Sequence, residues 1–437
     1  MAWTFTNNTC NPFLSDTTSC ALGNYISYTV NATTTDDVNA AVTFANLFNI
    51  RLVIRATGHE YNGKSTGAGA LVIWIHHLTS ISLFETYNFS VYTEKAVVVG
   101  SGVSFQQAYE FVDANNDIIV AGNRSTVALA GGYGQGGGLG PLTTKFGLTV
   151  DQVLEWQVVI GLGILVIYCS VRNYEISSKV TSISSASLQF APPITTEGLA
   201  AYWQTVKRFL QSLPLMVDSG LQIVWIIGPG FSFISPVTGL DVAQDTIDSL
   251  FPPTLSALDK AEIPYTYTSS VSSLFLEYQN STNFDANVSN ASTAGRLLPR
   301  SVVQNDTDSF ISVLQTSVDN NSQHPEISIN PYWRKTLMNV VFDTYRNYTD
   351  FSANFQSQNF MTNTIGPAIA ALTPDGSVYL NEADVQQPDW KRAFYGANYD
   401  RLDAIKTNYD SLDRFYALGA LKSDRWVERK DGHLCEA

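Results

Sequence analysis

Positive charge is scarce in this chain. Its 437 residues hold 25 Lys and Arg against 39 Asp and Glu, for a net charge of −14. That balance argues against nucleic acid as a partner and against anionic membrane surfaces. Long apolar runs are missing too. The most apolar stretch, Gln157 to Cys169, is broken by Gly161 and Gly163 and is too short to cross a bilayer. A buried strand or hairpin is expected there, and no membrane span. Four cysteines and five histidines show no metal-ligand spacing. His76 and His77 are adjacent, so in a strand they point to opposite faces. Charged residues make up only 15% of the chain while 45% is hydrophobic. A chain of this length buries a large core, expected as two lobes.

What is present centres on Arg55-Ala-Thr-Gly-His-Glu-Tyr-Asn-Gly-Lys-Ser65. An apolar run (Leu52, Val53, Ile54) precedes it, and a second one, Ala70 to Ile75, follows Gly67 and Gly69. Strand, tight loop, strand brings backbone N–H groups close to an anion, and glycine permits the approach. Gly58, Gly63, Lys64 and Ser65 also fit the spacing of a nucleotide-triphosphate P-loop. That reading needs a helix starting at Lys64-Ser65. The residues that follow are β-rich and lack a helical period.

As a whole the stretch resembles the Arg-x-x-Gly-His-x-x-x-Gly-x-Ser loop of berberine-bridge-enzyme-like FAD-linked oxidases of fungal type. These belong to the vanillyl-alcohol oxidase and p-cresol methylhydroxylase superfamily. Further segments carry the resemblance over most of the chain. They are Val97–Val103, the glycine-rich run Ala130–Leu142, Lys145–Trp156, Gly295–Ser301, Asn330–Arg334, Tyr379–Asp384 and Phe394–Tyr399. The resemblance implies an α+β fold with a two-lobed FAD-binding domain of the p-cresol methylhydroxylase type. A substrate domain, an antiparallel sheet with flanking helices, completes it. It implies that Arg55, Thr57, Gly58, His59, Gly63, Lys64 and Ser65 cradle FAD, with His59 as the covalent attachment point. Gly132, Tyr133, Gly136, Gly137, Gly138 and Asn381 are then the other cofactor contacts. It also implies a disulfide between Cys10 and Cys20 if the chain is secreted.

Three departures bear on function. Arg124 stands where bicovalent members have a second flavin-linked Cys, so no thioether forms there. Leu139 stands where many fungal relatives have His. After Val159 the family's glycine-run segment is missing, and its pattern resumes near Ser184, some twenty or more residues short. Three readings of that shortfall stay open: an exon boundary error, weak FAD binding, or a protein that no longer uses FAD.

Helices are expected over residues 35–50 and 103–115, and antiparallel strands from about Ile183. The expected organisation is an FAD-binding domain over 1–182 and a substrate domain over 183–364. Residues 365–437 are then a segment returning to the FAD domain. The expected reaction is oxidation of a small molecule in specialised metabolism, with O₂ as the final acceptor. In the Tyr379–Asp384 segment, read as a strand along the flavin, Glu382 takes the place of a Tyr base in several relatives. A carboxyl group beside an apolar ring has its pKa raised and serves as acid or base. Tyr379 and Asn381 are the candidates for positioning. A flavin-independent isomerase or cyclase using Glu382 as general acid is the alternative, and a non-catalytic remnant the third class. Sequons at Asn7, Asn31, Asn88, Asn123, Asn280, Asn287, Asn290, Asn305, Asn320 and Asn347 are roughly twice chance expectation and favour the secretory pathway. The opening Met-Ala-Trp-Thr-Phe-Thr has no signal-peptide pattern. Oligomeric state is not readable from the sequence.

Overall fold

The first helix begins where its sequence can satisfy the free N–H groups of a helix start. Thr34 and Asp37 form a reciprocal cap: the Asp37 N–H donates to Thr34 Oγ1 at 3.2 Å, and the Thr34 N–H to Asp37 Oδ2 at 2.9 Å. Helix α1 then runs over Thr35–Phe48 and ends at Asn49, whose φ of +54° is a left-handed cap. Three short parallel strands lie beside it: β1 (Tyr28–Asn31), β2 (Leu52–Arg55) and β3 (Leu71–Trp74), in the order β1-β3-β2. Because β2 and β3 are parallel, the connection between them, residues 56–70, leaves the sheet beyond Arg55 and returns to its other end at Leu71. The computed structural model describes residues 13–19, 22–88, 92–169, 177–178, 182–273, 275–282, 291–318, 322–323, 331–429 and 431–437. The proposed Cys10–Cys20 pair lies outside them.

Two antiparallel strands, β4 (Ile81–Phe84) and β5 (Ala96–Val99), lead to α2 (Phe105–Ala114), which Ser104 and Gln107 cap in the same reciprocal way. Val97, Phe105, Ala108, Tyr109 and Val112 pack with Ile119, Leu129 and Leu142. This cluster also takes in Ile183, Leu240 and Tyr278 from the second lobe, so one apolar core runs across the junction.

The second lobe is a four-stranded antiparallel sheet of β8 (Ile183–Phe190), β9 (Leu221–Gly228), β10 (Phe231–Leu240) and β11 (Tyr265–Ser272), in the order β9-β10-β8-β11. Strands β12 (Ala291–Pro299) and β13 (Thr336–Tyr345) pair antiparallel in a neighbouring sheet. Helices α3 (Thr196–Asp218), α4 (Gln244–Leu250), α5 (Pro252–Lys260) and α6 (Thr307–Val318) cover one side. Phe209, Leu213, Trp225, Ile234, Phe310 and Phe342 form the centre of this core. Met361, Ile365 and Ile369 still belong to it. The chain then crosses back: the Leu52 N–H donates to the Arg414 carbonyl at 2.8 Å, and Arg51 to the Tyr416 carbonyl.

Two expectations need correction. Residues 155–169 do form a hairpin, β6 (Glu155–Val159) with β7 (Leu165–Cys169), but it is not buried. Leu162, Ile164 and Leu165 are exposed, because the hairpin tip lies on the outer side of α1, where Asn46 Nδ2 donates to the Gly161 carbonyl at 2.8 Å. His76 and His77 follow β3 in a turn instead of continuing the strand. Their rings meet at 5.1 Å and both pack on Trp74, so strand alternation does not separate them.

Candidate active site

The 56–70 loop contains no helix, which removes the P-loop reading. Gly58 and Gly63 have φ of +83° and +75°, values that L side chains rarely adopt. A Cβ on Gly58 would come within 2.7 Å of the Arg55 guanidinium folded beneath it. Together these turns gather backbone N–H groups on one anion. The Glu60 carboxylate accepts from the Asn62 N–H at 2.6 Å and from the Lys64 N–H at 2.7 Å. Sequence reasoning passed over Glu60, which stabilises the loop from inside. Burial lowers the pKa of Lys64, and the charge of Glu60 opposes that. Ser65 is buried, and Thr66 and Ala68 are pinned to Asn24. Thr57 and His59 are half-buried, and His59 Nε2 lies 2.7 Å from Thr126 Oγ1.

Three distant segments meet at this loop. Asn62 Nδ2 donates to the Leu380 carbonyl at 3.0 Å. Asn381 Nδ2 donates to the Gly132 carbonyl at 3.1 Å and to the Tyr379 hydroxyl at 2.7 Å. Gly136 is glycine for the same contact, since a Cβ there would sit 2.4 Å from Asn381 Nδ2. Gly137 and Gly138 turn their carbonyls to the N–H groups of Val150 and Thr149. Tyr133 stands as an internal pillar, with its ring 4.5 Å from Phe105 and its hydroxyl at Leu139 and Thr149. Beside Gly132, a Cβ would meet nothing within 4 Å.

Residues 380–382 form one helical turn closed by the Glu382 N–H on the Tyr379 carbonyl at 3.1 Å. The strand expected for Tyr379–Asp384 is therefore wrong, and side-chain alternation does not apply. The turn packs on the second lobe: Thr293 Oγ1 donates to the Ala383 carbonyl, and Gly295 faces the Glu382 carbonyl. Tyr379 is buried, and its pKa is raised by burial and then by the charge of Glu382.

The second lobe adds a residue that sequence reasoning missed. Asp343 on β13 is half-buried, yet its Oδ1 is closed to solvent and makes no hydrogen bond. Burial pushes its pKa up to about 8, opposed by the Arg124 guanidinium. Tyr61 is raised by burial and by the nearby charges of Asp343 and Glu382, and Arg124 opposes this. Tyr61, Arg124, Asp343 and Glu382 are thus one electrostatic group spanning both lobes. A lone Asp in an otherwise apolar strand, Leu-Met-Asn-Val-Val-Phe-Asp, was the available signal.

The residues suit a dinucleotide: left-handed glycine turns that let a ligand approach the backbone, a half-buried cation at Lys64, open space over Gly132, and a His at the loop centre. Comparison with known proteins agrees. Residues 26–167 match an FAD binding domain, and residues 378–418 a berberine and berberine-like segment. An FAD-linked oxidoreductase of Hypocrea jecorina is 35% identical over 465 residues, covering 99% of this chain and 80% of that protein. That matched length exceeds the chain's own 437 residues, so the relative holds residues with no counterpart here. A bifunctional decalin synthase of Penicillium decumbens is 32% identical over 474 residues, covering 98% of this chain and 82% of that protein. The crystal structure of a VAO-type flavoprotein from Myceliophthora thermophila superposes with a TM-score of 0.88 at 30% identity, over all of this chain and 87% of that one. With this fold, these three converging segments and these relatives, the chain belongs to the berberine-like, VAO-type family of FAD-linked oxidoreductases.

Proposed function

We propose that this protein is an oxidase of a small molecule in specialised metabolism, with O₂ as the final acceptor. The observation that carries the reading is the junction of the His59 loop, the Gly132 loop and the Glu382 turn through Asn62 and Asn381. Bound FAD supplies a two-electron acceptor there that O₂ regenerates. Arg55, Thr57, Gly58, Gly63, Lys64 and Ser65 hold the diphosphate. Gly132, Tyr133, Gly136, Gly137, Gly138 and Asn381 border the ring, and His59 is its covalent anchor. Arg124 leaves the ring with a single anchor.

Glu382 takes the proton from a substrate O–H or N–H, which raises electron density at the carbon that loses hydride. Asn381 and Tyr379 hold the turn that carries it. Asp343, neutral near pH 7, donates a hydrogen bond from the opposite lobe. An absorbance scan tests the cofactor, since bound flavin absorbs near about 370 and 450 nm. A bare spectrum overturns the redox reading. Glu382→Gln should lower turnover by about 10²–10⁴-fold, and unchanged turnover removes Glu382 from the chemistry.

A second reading has its own support in the relative named as a decalin synthase. In it, Glu382 protonates an alkene and drives isomerisation or cyclisation without flavin turnover. Product formed without O₂ consumption, and lost in Glu382→Gln, selects this reading. We further propose passage through the secretory pathway, because Asn31, Asn88, Asn280, Asn305 and Asn347 of the sequons are exposed. No helix among the described residues is long and apolar enough to cross a membrane.

A further inference from the structure

A cavity of about 360 Å³ lies where the lobes meet. None of the residues assigned above to cofactor or proton chemistry lines it. Its first-lobe wall includes Leu139 and Leu148, and α3, β9 and β13 contribute Leu213, Trp225 and Met338. Leu139 directly follows the flavin-loop Gly138, so the cavity begins where that loop ends. Asn339 and Asp343 lie four residues apart on the same face of β13, about 13 Å at the rise of a strand. The cavity therefore adjoins the proton-handling cluster along one strand.

Its chemistry is narrow. Among the described residues no carboxylate lines it, and the one charged lining residue, Arg334, is held by both oxygens of Asp151 at 2.9 and 2.5 Å. A charged ligand would find no free counter-charge. The lining is largely apolar but also holds Thr143, Thr144, Gln222 and Thr336. Within it sits the amide of Asn339, a residue 6% exposed, whose Oδ1 and Nδ2 find no hydrogen-bond partner among the described residues. The Nε1 of Trp333, also in the lining, has no hydrogen-bond partner either. Native proteins rarely leave such groups unsatisfied. These atoms are closed to solvent as the cavity stands, but the terminal torsion of Asn is soft. A ligand seated against the lining would meet the amide only if that torsion turns one end of it toward the cavity.

We infer that this cavity is the seat for the body of a neutral, largely hydrocarbon molecule bearing one carbonyl or hydroxyl group, which Asn339 and Trp333 bind. The word substrate for that molecule rests on the function proposed above; its binding does not. The full chain is titrated calorimetrically with 2-nonanone, nonanoate and cellobiose. 2-Nonanone should bind at least tenfold more tightly than nonanoate, and cellobiose should give no heat of binding. Asn339→Leu, similar in volume, should weaken the ketone about tenfold. Val217→Trp should fill the cavity and abolish binding. Thr143→Trp, on the opposite wall, does the same should the first variant fail to fold by circular dichroism. Cellobiose binding as tightly as the ketone, or ketone affinity unchanged in the folded cavity-filling variant, overturns the inference. Unchanged ketone affinity in Asn339→Leu overturns the amide's part in it. Flavin absorbance of the same samples keeps the two readings apart. Ketone binding without flavin bands sinks the oxidase and leaves this inference standing, and flavin bands without ketone binding do the reverse.

Discussion

Replacing Asp343 with Asn separates the charge of this side chain from its shape. Its carboxyl titrates near 3.8 in the unfolded chain and about 8 in the folded one. Between those values the folded protein holds a proton that the unfolded chain has released, so stability is full below the unfolded value and falls as pH rises toward 8. The whole displacement corresponds to about 6 kcal/mol at 1.36 kcal/mol per pH unit. Asp343 is only partly buried, and screening by water there cuts the usable part to about 1–2 kcal/mol. Asn carries no charge at any pH. The variant should therefore match the parent near pH 4 and exceed it progressively toward pH 8.5. At about 2.1 cal/mol/K per residue, the gap at the upper end is about 1–2 °C in Tm. Differential scanning calorimetry at half-unit steps measures it. Arg124 and Tyr61 also face this group, and Glu382 acts on the same Tyr61, so Arg124→Gln should widen the gap by removing the one favourable charge. A Tm difference that stays constant from pH 4 to 8.5, or grows in the acid direction, refutes the argument.

Other expectations follow from the same geometry. Flavin fluorescence should migrate with the denatured polypeptide on a gel, and His59→Ala should release it; flavin that leaves the parent protein on denaturation refutes covalent attachment. Asn381→Ala removes one hydrogen bond that joins separate segments, to the Gly132 carbonyl, and one within its own turn, to the Tyr379 hydroxyl, a loss of about 1–3 kcal/mol, and should lower flavin retention on gel filtration. Arg334→Ala breaks an ion pair whose Arg is two-thirds exposed, so Tm should move little; a large drop would mean that this pair, and not the shared core, holds the lobes together. Digestion with an N-glycosidase should shift the mass of secreted material, and no shift refutes glycosylation at the exposed sequons.

The legible parts of this fold were those with local causes. Helix α1 announces itself through Thr34, Asp37 and its apolar spacing, and α2 through Ser104 and Gln107. The β2–loop–β3 unit is readable because glycines and apolar runs alternate within twenty residues. The active-site turn at 380–382 was missed because its conformation comes from long-range bonds, Asn62 to Leu380 and Asn381 to Gly132, which no local pattern reports. Asp343 was passed over for a related reason. Its meaning depends on Arg124 and Tyr61, more than two hundred residues earlier. The burial expected for 157–169 failed because apolar composition was taken as burial, whereas the hairpin has α1 on only one side.

That hairpin lies in the region where the chain is shorter than its relatives' pattern. Phe44, Leu47 and Phe48 of α1 are exposed, as are Val158, Leu162, Ile164 and Leu165 of the hairpin, and the two elements touch through Asn46 and Gly161. Apolar side chains concentrated in this way on a monomer's surface are ordinarily covered. The sequence pattern places the shortfall in the same region, after Val159, and the matched relative carries residues that this chain lacks. Both facts have one physical explanation if a transcript exists that encodes a longer segment between Trp156 and Ser184. The added residues would lie over α1 and replace the open hairpin. Sequencing the transcript across that interval decides the matter, and the two products differ in a second way. A longer protein should bind less of an apolar dye such as ANS, because the face of α1 is covered. If the transcript encodes only the present residues, the exposed face belongs to the functional protein, and any flavin it binds is held without the missing segment.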